Sequence, residues 1–226
     1  MATLAPMSTV AVLPVKAFTE GKRRLRADLA GGARRALAQA MFCDVLIALR
    51  RATAVQRVIV VSADHGAQRI AAGYGAEVIA DEELGHNLAA RRGVEQAKRS
   101  GADRALLVPG DCPALDPRQV DELLARRVSP PSALIVPDRH GTGTNALLLT
   151  PPDALAPSFG PGSCKRHLAQ ARDNEIHGEV VRVPTLALDV DTSDDLEALE
   201  EALAQIHGHA AHTRGMLMQL ARSRAH

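Results

Sequence analysis

Short apolar runs alternate with amphipathic stretches along the first half of the chain. Four runs predict strands: 9–15, 57–62, 75–80 and 104–108. The first two are continuously apolar, as expected of strands that are covered on both faces of a parallel sheet. Three stretches between the runs have helical periodicity: 34–51, 64–72 and 88–100. In the first of them, Leu37, Met41, Val45 and Leu49 form one apolar stripe. The alternation predicts right-handed βαβ units.

The second half of the chain has shorter strands with fewer helices between them. Strands are predicted at 132–136, 145–149, 180–183 and 187–190, and helices at 117–127, 163–174 and 192–206. Asp116 and Thr192 or Ser193 are expected N-caps, as is Ser62 or Asp64 earlier. The fold class predicted is a single-domain α/β protein, 1–206, with a mixed, mostly parallel sheet, an antiparallel edge and helices on both faces.

Residues 207–226 form a tail that is rich in His and Arg. We expect a frayed or weakly helical extension there. A metal site at His207, His209 and His212 has little support, since no acid or Cys lies nearby to complete it.

Composition narrows the class of partner. The 226 residues have a formal net charge of +1 and 2% aromatic side chains, so neither a basic field nor base-stacking faces favour nucleic acid. The three cysteines form no CxxC pair or disulfide framework, which suits a reducing compartment. With no signal peptide or membrane-length apolar run in the sequence, we expect a cytoplasmic protein.

Candidate chemistry collects where the predicted strands end, at the edge where open α/β sheets bind ligands. Basic residues follow the first strand: Lys16, Lys22, Arg23 and Arg24. This mixture suits phosphate groups, although a solvated basic loop would have the same composition. Later strand ends supply Ser62, Asp81, the loop Gly85-His86-Asn87 and the segment Thr142–Asn145.

Three carboxylates are candidate ligands for Mg²⁺, which prefers oxygen ligands and few carboxylates. Asp111 follows a buried strand and a Pro-Gly turn, and Asp116 is a better cap for the next helix. Asp189 and Asp191 are two apart, so on an extended chain they share a face and repel unless a cation lies between them. Asp191 has an alternative role in capping the last helix.

Two Gly-rich loops, His140–Asn145 and Phe159–Ser163, are candidate anion sites. The second opens a helix whose first turn contains Lys165 and Arg166, which oppose the helix dipole unless an anion is present. Simple capping by Ser163 is the alternative. The P-loop, Rossmann, GxSxG and HExxH motifs are missing, and Cys112 has no His partner and is expected to pack as a small residue.

Taken together, six stretches resemble the CofC/FbiD family of guanylyltransferases of coenzyme F-420 biosynthesis. They are LPVKAFTEGKRRL, the GHN loop, LLVPGDCPALDP, DRHGTGTNALLL, FGPGS and LALDVDTSDDL, in consistent order from Val10 to about Leu203. The resemblance implies a nucleotidyltransferase fold and transfer of GMP from GTP to 2-phospho-L-lactate, phosphoenolpyruvate or 3-phospho-D-glycerate, with release of diphosphate.

The resemblance also implies roles for individual residues. Metal would be bound by Asp111, Asp189 and Asp191, and the acceptor by Thr144, Gly160 and Ser163. The nucleotide would lie near Pro14, Lys16, Lys22, Ser62, Asn87 and Asp111. His86 stands where relatives commonly have an apolar residue; as a donor to an acceptor hydroxyl it would favour 3-phospho-D-glycerate.

The predicted mechanism is in-line attack of the acceptor phosphate on the α-phosphorus of GTP, with Mg²⁺ as cofactor. Lys16, Lys22 and Arg24 are expected to bind the triphosphate. The predicted catalytic residues are Asp111, Lys16 and Lys22. Apolar helix faces make a homodimer an expectation, and the unstable product suggests coupling to the downstream transferase. The alternatives are a molybdopterin-type or sugar-phosphate nucleotidyltransferase, whose GxGxR-type loop is missing after the first strand, and a non-catalytic nucleotide-binding protein.

Overall fold

The computed structural model describes residues 7–19, 22–82, 85–206 and 208–224, and of Arg23 and Arg224 the backbone alone. His207 and the side chain of Arg23, both named above as candidates, lie outside the described residues. Seven strands form one sheet in the order β3-β2-β1-β4-β6-β5-β7. They are β1 Thr9–Pro14, β2 Arg57–Ser62, β3 Glu77–Ala80, β4 Arg104–Leu107, β5 Ser132–Pro137, β6 Thr144–Thr150 and β7 His177–Val180.

The sheet is mixed and mostly parallel, as predicted. Strand β6 runs antiparallel to both of its neighbours, β4 and β5, whereas β7 is parallel to β5. The predicted antiparallel edge is therefore wrong: the one reversed strand lies inside the sheet. A short β5–β6 connection makes this pair a hairpin, and hairpin strands are necessarily antiparallel.

Within the described part of the chain, seven helices cover the sheet and extend to its side. They are α1 Gly31–Arg51, α2 His65–Gly73, α3 His86–Arg99, α4 Pro117–Leu124, α5 Ser163–Asp173, α6 Ser193–Gln205 and α7 Ala211–Arg224, with a 3₁₀ turn at Arg23–Arg26. Side chains of Asp64, Asp116 and Thr192 cap α2, α4 and α6 as expected. Helix α3 begins two residues earlier than predicted, so His86 and Asn87 lie in its first turn.

Two predicted strands differ from the structure near the end of the sheet. The seventh strand is His177–Val180 and not 180–183, and 187–190 forms no strand. The chain turns there, because the amides of Leu186 and Ala187 donate to the carbonyl of Val183. Pro184, which lacks an amide hydrogen, lies within this turn and cannot donate to a ladder.

Alternation along β1 shows how both faces of the sheet are buried. Ala11 and Leu13 pack in one core cluster with helix α1, and Val10 and Val12 pack in another with helix α3. Helix α3 approaches closely at Gly93, where an added Cβ would lie 2.2 Å from Val12 Cγ1. The expectation of helices on both faces is confirmed.

The C-terminal segment packs on the domain through helix α7. Asp44 of α1 accepts hydrogen bonds from the backbone amides of His212 (3.1 Å) and Thr213 (2.7 Å) at the start of α7. His212 Nε2 lies 3.2 Å from the hydroxyl of Tyr74. The expected frayed or weakly helical extension is therefore wrong for 211–224, since a buried carboxylate on α1 holds the first turn of this helix.

Substitution of Asp44 tests this docking. We expect Asp44→Ala to lower the free energy of unfolding by about 1–3 kcal/mol, because two amides lose their acceptor in a buried position. Chemical denaturation measures the change. Asp173→Ala, at an exposed helix end, is the control and should cost less than about 0.5 kcal/mol. Equal effects of the two substitutions would show that Asp44 does not anchor α7.

None of the helices among the described residues combines the length and the apolar character that a membrane span requires.

Candidate functional site

Three carboxylates meet at the edge of the sheet where β4 ends. Asp111 follows the Pro109–Gly110 turn after β4. The segment from Asp189 to Asp191 lies beside it, because the amide of Val190 donates to the backbone carbonyl of Asp111 at 3.3 Å. This backbone contact joins two stretches that are far apart in sequence, so the predicted convergence of these carboxylates is observed without the predicted strand.

Lys22 joins two of the three carboxylates. Its ammonium contacts Asp111 Oδ2 and lies 3.1 Å from Asp191 Oδ1, and its side chain is only 6% exposed. Burial alone would lower the pKa of Lys22, but the charges of Asp111 and Asp191 outweigh it and raise that pKa above its ordinary value. The backbone φ of Lys22 is +55°, in the left-handed region that residues with a Cβ rarely adopt.

Negative charge is in excess around Asp189. Asn145 of β6 donates to Asp189 Oδ1 (3.0 Å) and to the carbonyl of Leu186 (2.8 Å). Burial, with the nearby charge of Asp111, raises the pKa of Asp189 to about 6 against the effects of Asn145 and Lys22. Asp111 Oδ1 is buried and has no hydrogen-bond partner. A further cation would relieve both features.

The predicted metal set is thus gathered at one edge but is not assembled as a metal site. Among residues 7–19, 22–82, 85–206 and 208–224, no group of three or more His, Cys, Asp or Glu side chains is arranged to hold an ion. The unpartnered oxygen of Asp111 and the oxygen-only donor set fit a hard cation such as Mg²⁺.

The predicted nucleotide residues lie at different depths. Pro14 ends β1 and is buried, while Lys16 and Arg24 are exposed. Lys16 and Asp111 both act electrostatically on His86, which places these three residues around one region. Ser62 is fully buried, and its hydroxyl accepts from the amide of Asp64 at 3.1 Å. The structure therefore does not bring the Ser62 hydroxyl to the surface.

Helix α3 begins against the loop that precedes α5. The side chain of Asn87 accepts from the amide of Phe159 (2.7 Å) and donates to its carbonyl (3.2 Å). The rings of His86 and Phe159 pack edge-on with centroids 5.4 Å apart. Burial, with the charge of Lys16, lowers the pKa of His86 to about 4, so this imidazole is neutral. Both residues support the Phe159 loop, and their predicted contacts with substrates stay predictions.

The loop from Ser158 to Gly162 is rigidly held. Gly160 and Gly162 have φ of +118° and +70°, conformations that residues with a Cβ rarely adopt. Arg166 donates to the carbonyls of Ser158 and Pro161. The basic first turn of α5 was interpreted above as a sign of an anion. These carbonyls give the Arg166 guanidinium partners without an anion, and the anion at this helix start stays a prediction.

Two predicted acceptor residues meet beside this loop. Ser163 Oγ lies 3.1 Å from Thr144 Oγ1, and Thr144 Oγ1 lies 3.0 Å from His167 Nδ1. His167 is fully buried and was not among the predicted site residues. One signal could have identified it: it is four residues after Ser163 on a predicted helix, and such residues share a face.

Residues 9–224 match the family model described as guanylyl transferase CofC like. The matched range includes helix α7. The chain belongs to the CofC-like guanylyl transferase family. This result confirms the resemblance stated from the sequence motifs.

Curated members of the family act on different acceptors, as their names state. A phosphoenolpyruvate guanylyltransferase of Conexibacter woesei is 54% identical over 219 residues, covering 96% of this chain and 98% of its own. A 3-phospho-D-glycerate guanylyltransferase of Colwellia psychrerythraea is 36% identical, covering 85% and 91%. A 2-phospho-L-lactate guanylyltransferase of Methanothermobacter thermautotrophicus is 35% identical, covering 95% and 92%.

Solved structures confirm the fold of this CofC-like protein. A Desulfovibrio desulfuricans G20 protein described as a nucleotide-diphospho-sugar transferase superposes with a TM-score of 0.75 at 18% identity, covering 96% of this chain and 98% of its own. A nucleotidyl transferase of Methanothermobacter gives a TM-score of 0.62 at 16% identity, with 88% and 99% covered. At these identities the likeness concerns the fold alone, and it is the nucleotidyltransferase fold that was predicted.

Cys112 of this CofC-like chain has a structural role. Cys112 is fully buried and its thiol lies 3.4 Å from the carbonyl of Leu186; burial raises its pKa well above the ordinary value. It packs as the small residue that was expected.

Proposed function

We propose that this chain transfers GMP from GTP to the phosphate of a small phosphorylated carboxylic acid, releasing diphosphate. The observation that carries the proposal is the placement of the Lys22–Asp111–Asp191 cluster at the same sheet edge as the hydroxyl pair of Thr144 and Ser163, in a guanylyl transferase family member. The charged cluster suits a triphosphate, and the hydroxyl pair suits an anionic acid.

The reaction needs positioning and charge neutralisation more than proton transfer. A phosphate oxygen of the acid attacks the α-phosphorus of GTP, a new P–O bond forms, and the bond to the β-phosphate oxygen breaks so that diphosphate leaves with the electron pair. A phosphate monoester has a second pKa of about 6, so it is an available nucleophile near pH 7. The lack of an obvious base in the proposed site agrees with this chemistry.

The residues at the sheet edge have different proposed roles in binding the two substrates. Lys22 and Lys16 neutralise the triphosphate, and Arg24 is an exposed residue that can reach a nucleotide only from the surface side. Thr144 and the backbone at Gly160 bind the acid, and Ser163, which is fully buried, acts on it through its hydrogen bond to Thr144. Pro14, Ser62 and Asn87 support this edge from the interior, and a direct nucleotide contact by any of them stays a prediction.

Mg²⁺ is proposed as the cofactor, held by Asp111 with Asp189 and Asp191. When bound, it would supply charge neutralisation at the phosphates. The residues suit it because Asp111 Oδ1 is buried without a partner and because the pKa of Asp189 is raised next to Asp111. Lys22 pairs with two of these carboxylates in the structure, Asp111 and Asp191, so we expect it to share those two with the cation.

Phosphoenolpyruvate is the acceptor we place first among the three. The 54%-identical Conexibacter protein is named for it. His86, the residue that favoured 3-phospho-D-glycerate, packs edge-on against Phe159, which supplies a role for it that involves no acceptor hydroxyl. A step in coenzyme F-420 biosynthesis, a cytoplasmic homodimer and coupling to the downstream transferase stay proposals.

A substrate panel tests the proposal. Diphosphate release is measured with GTP and Mg²⁺, with each of the three acids supplied separately and with ATP replacing GTP in parallel. We expect release with GTP only when an acid is present, and fastest with phosphoenolpyruvate. GTP binding without diphosphate release for any acid would favour a non-catalytic nucleotide-binding protein and would overturn the proposal.

A further inference from the structure

His167 is a fully buried imidazole with a partner on each ring nitrogen. Nε2 accepts a hydrogen bond from the backbone amide of Ser158 at 3.0 Å, and Nδ1 lies 3.0 Å from Thr144 Oγ1. Its ring also packs edge-on against Phe159, with centroids 5.5 Å apart. The side chain therefore connects the Phe159 loop to the hydroxyl pair of Thr144 and Ser163.

The contact with Ser158 decides which nitrogen of His167 carries the proton. A backbone N–H can only donate, so Nε2 must be unprotonated, and a neutral imidazole then has its hydrogen on Nδ1. Burial, aided by the charge of Arg166, lowers the pKa of His167 to about 4, so the ring is neutral near pH 7. Nδ1–H consequently donates to Thr144 Oγ1.

This tautomer leaves one hydroxyl hydrogen without a use inside the network. Thr144 and Ser163 have two hydroxyl hydrogens, and the 3.1 Å bond between them uses one. Neither hydroxyl can donate to His167 Nδ1, because that nitrogen is itself a donor. In the other tautomer Nδ1 would be an acceptor, and the Thr144 hydroxyl would donate its hydrogen to it. Ser163 is fully buried and donates to Thr144 Oγ1, so the remaining hydrogen is that of the half-buried Thr144 hydroxyl. The pair therefore presents one donor through Thr144, and it suits a ligand atom that only accepts, such as a carboxylate or phosphate oxygen.

We infer that His167 is a positioning residue that keeps the Thr144–Ser163 hydroxyl pair oriented as a donor to an anionic oxygen of the acceptor acid. The inference rests on the proposed function for the identity of the ligand. His167 itself does not touch the acid. Its effect is transmitted through Nδ1–H, and the Ser158 amide keeps that hydrogen in place.

Two substitutions separate the two ring nitrogens. The amide nitrogen of Asn can occupy the place of Nδ1 and still donate to Thr144, whereas the amide oxygen of Gln can occupy the place of Nε2 and accept from Ser158. We expect His167→Asn to keep the KM for the acid within about threefold, and His167→Gln to raise it about tenfold or more, the value of a hydrogen bond to a charged group. The KM for GTP should change less than about twofold in both.

The controls distinguish positioning from a loss of structure. His177→Gln, at an exposed histidine of β7, should leave all constants unchanged, and thermal unfolding checks that each variant is folded. Equal increases in the KM for the acid in the Asn and Gln variants, or increases that affect GTP as strongly, would overturn the inference alone. Lack of transfer to any acid by the unsubstituted enzyme would overturn the proposed function and this inference with it.

Discussion

Asp111→Asn should lower kcat/KM for guanylyl transfer by a factor on the order of a thousand while the protein stays folded. The substitution keeps the shape of the side chain and removes the charge that the proposed site uses to hold a cation beside the phosphates. Asn can still accept from Lys22, so we expect a stability loss of about 1–2 kcal/mol at most. Initial rates with GTP and phosphoenolpyruvate, together with denaturation curves, measure both effects.

The matched control for this prediction lies five residues further along the chain. Asp116 caps helix α4, where Oδ1 accepts from the amide of Arg118 at 2.8 Å, and Asn is as good an N-cap as Asp. Asp116→Asn should therefore retain full activity and stability. If Asp111→Asn retains activity as well, Asp111 has no part in the mechanism.

Asp189→Asn should have opposite effects on activity and on stability. Transfer should fall by a factor on the order of a hundred or more, because one carboxylate of the proposed cation set is lost. Without Mg²⁺, the variant should be more stable than the unsubstituted protein above pH 6. The reason is that Asp189 is ionised there although burial and the charge of Asp111 oppose its ionisation.

The pH window follows from the direction of the shift. The pKa of Asp189 is about 6 in the folded state, above its ordinary value of 3.8, so the folded state binds this proton more tightly than the unfolded state. The unsubstituted protein therefore loses stability as pH rises from about 4 to about 6, by about 1–2 kcal/mol for a partly exposed group. The advantage of Asp189→Asn should be complete above pH 6 and vanish below pH 4.

Unfolding measured at pH 4, 5, 6 and 7, with and without Mg²⁺, checks this prediction. Mg²⁺ should stabilise the unsubstituted protein by mass action and stabilise the variant less. Asp194→Asn, at an exposed position in the first turn of α6, is the control and should be slightly destabilising at every pH. A variant that is no more stable than the unsubstituted protein at pH 7 would contradict the proposed excess of negative charge.

Local pattern was sufficient to predict most of the elements. Burial on both faces dictates the continuously apolar runs of β1 and β2, and burial on one side dictates the apolar stripe of α1. Unpaired backbone amides at helix starts explain the caps at Asp64, Asp116 and Thr192. The strand predicted at 187–190 was wrong because an apolar run that follows a proline can be buried in a turn as well as in a strand.

Position along the strands was sufficient to single out the carboxylates of the candidate site, and the resemblance supplied Thr144, Gly160 and Ser163. Asp111 follows a buried strand at the edge where ligands bind, and Asp189 and Asp191 share a face of an extended chain, where two carboxylates repel. The link between Asp111 and Lys22 joins residues 89 positions apart, which the sequence alone does not indicate. His167 was missed because its role comes from the tautomer, and the tautomer is decided by a backbone amide nine residues earlier.

The central claim is that the phosphate of the acid becomes bonded to the α-phosphate of GTP, and ³¹P NMR of the reaction mixture tests it most directly. With GTP, Mg²⁺ and phosphoenolpyruvate, we expect two new mutually coupled doublets, one from each phosphorus of the P–O–P linkage, together with free diphosphate. Appearance of the GMP singlet with diphosphate and without the coupled pair would show hydrolysis of GTP in place of transfer, and would contradict the account.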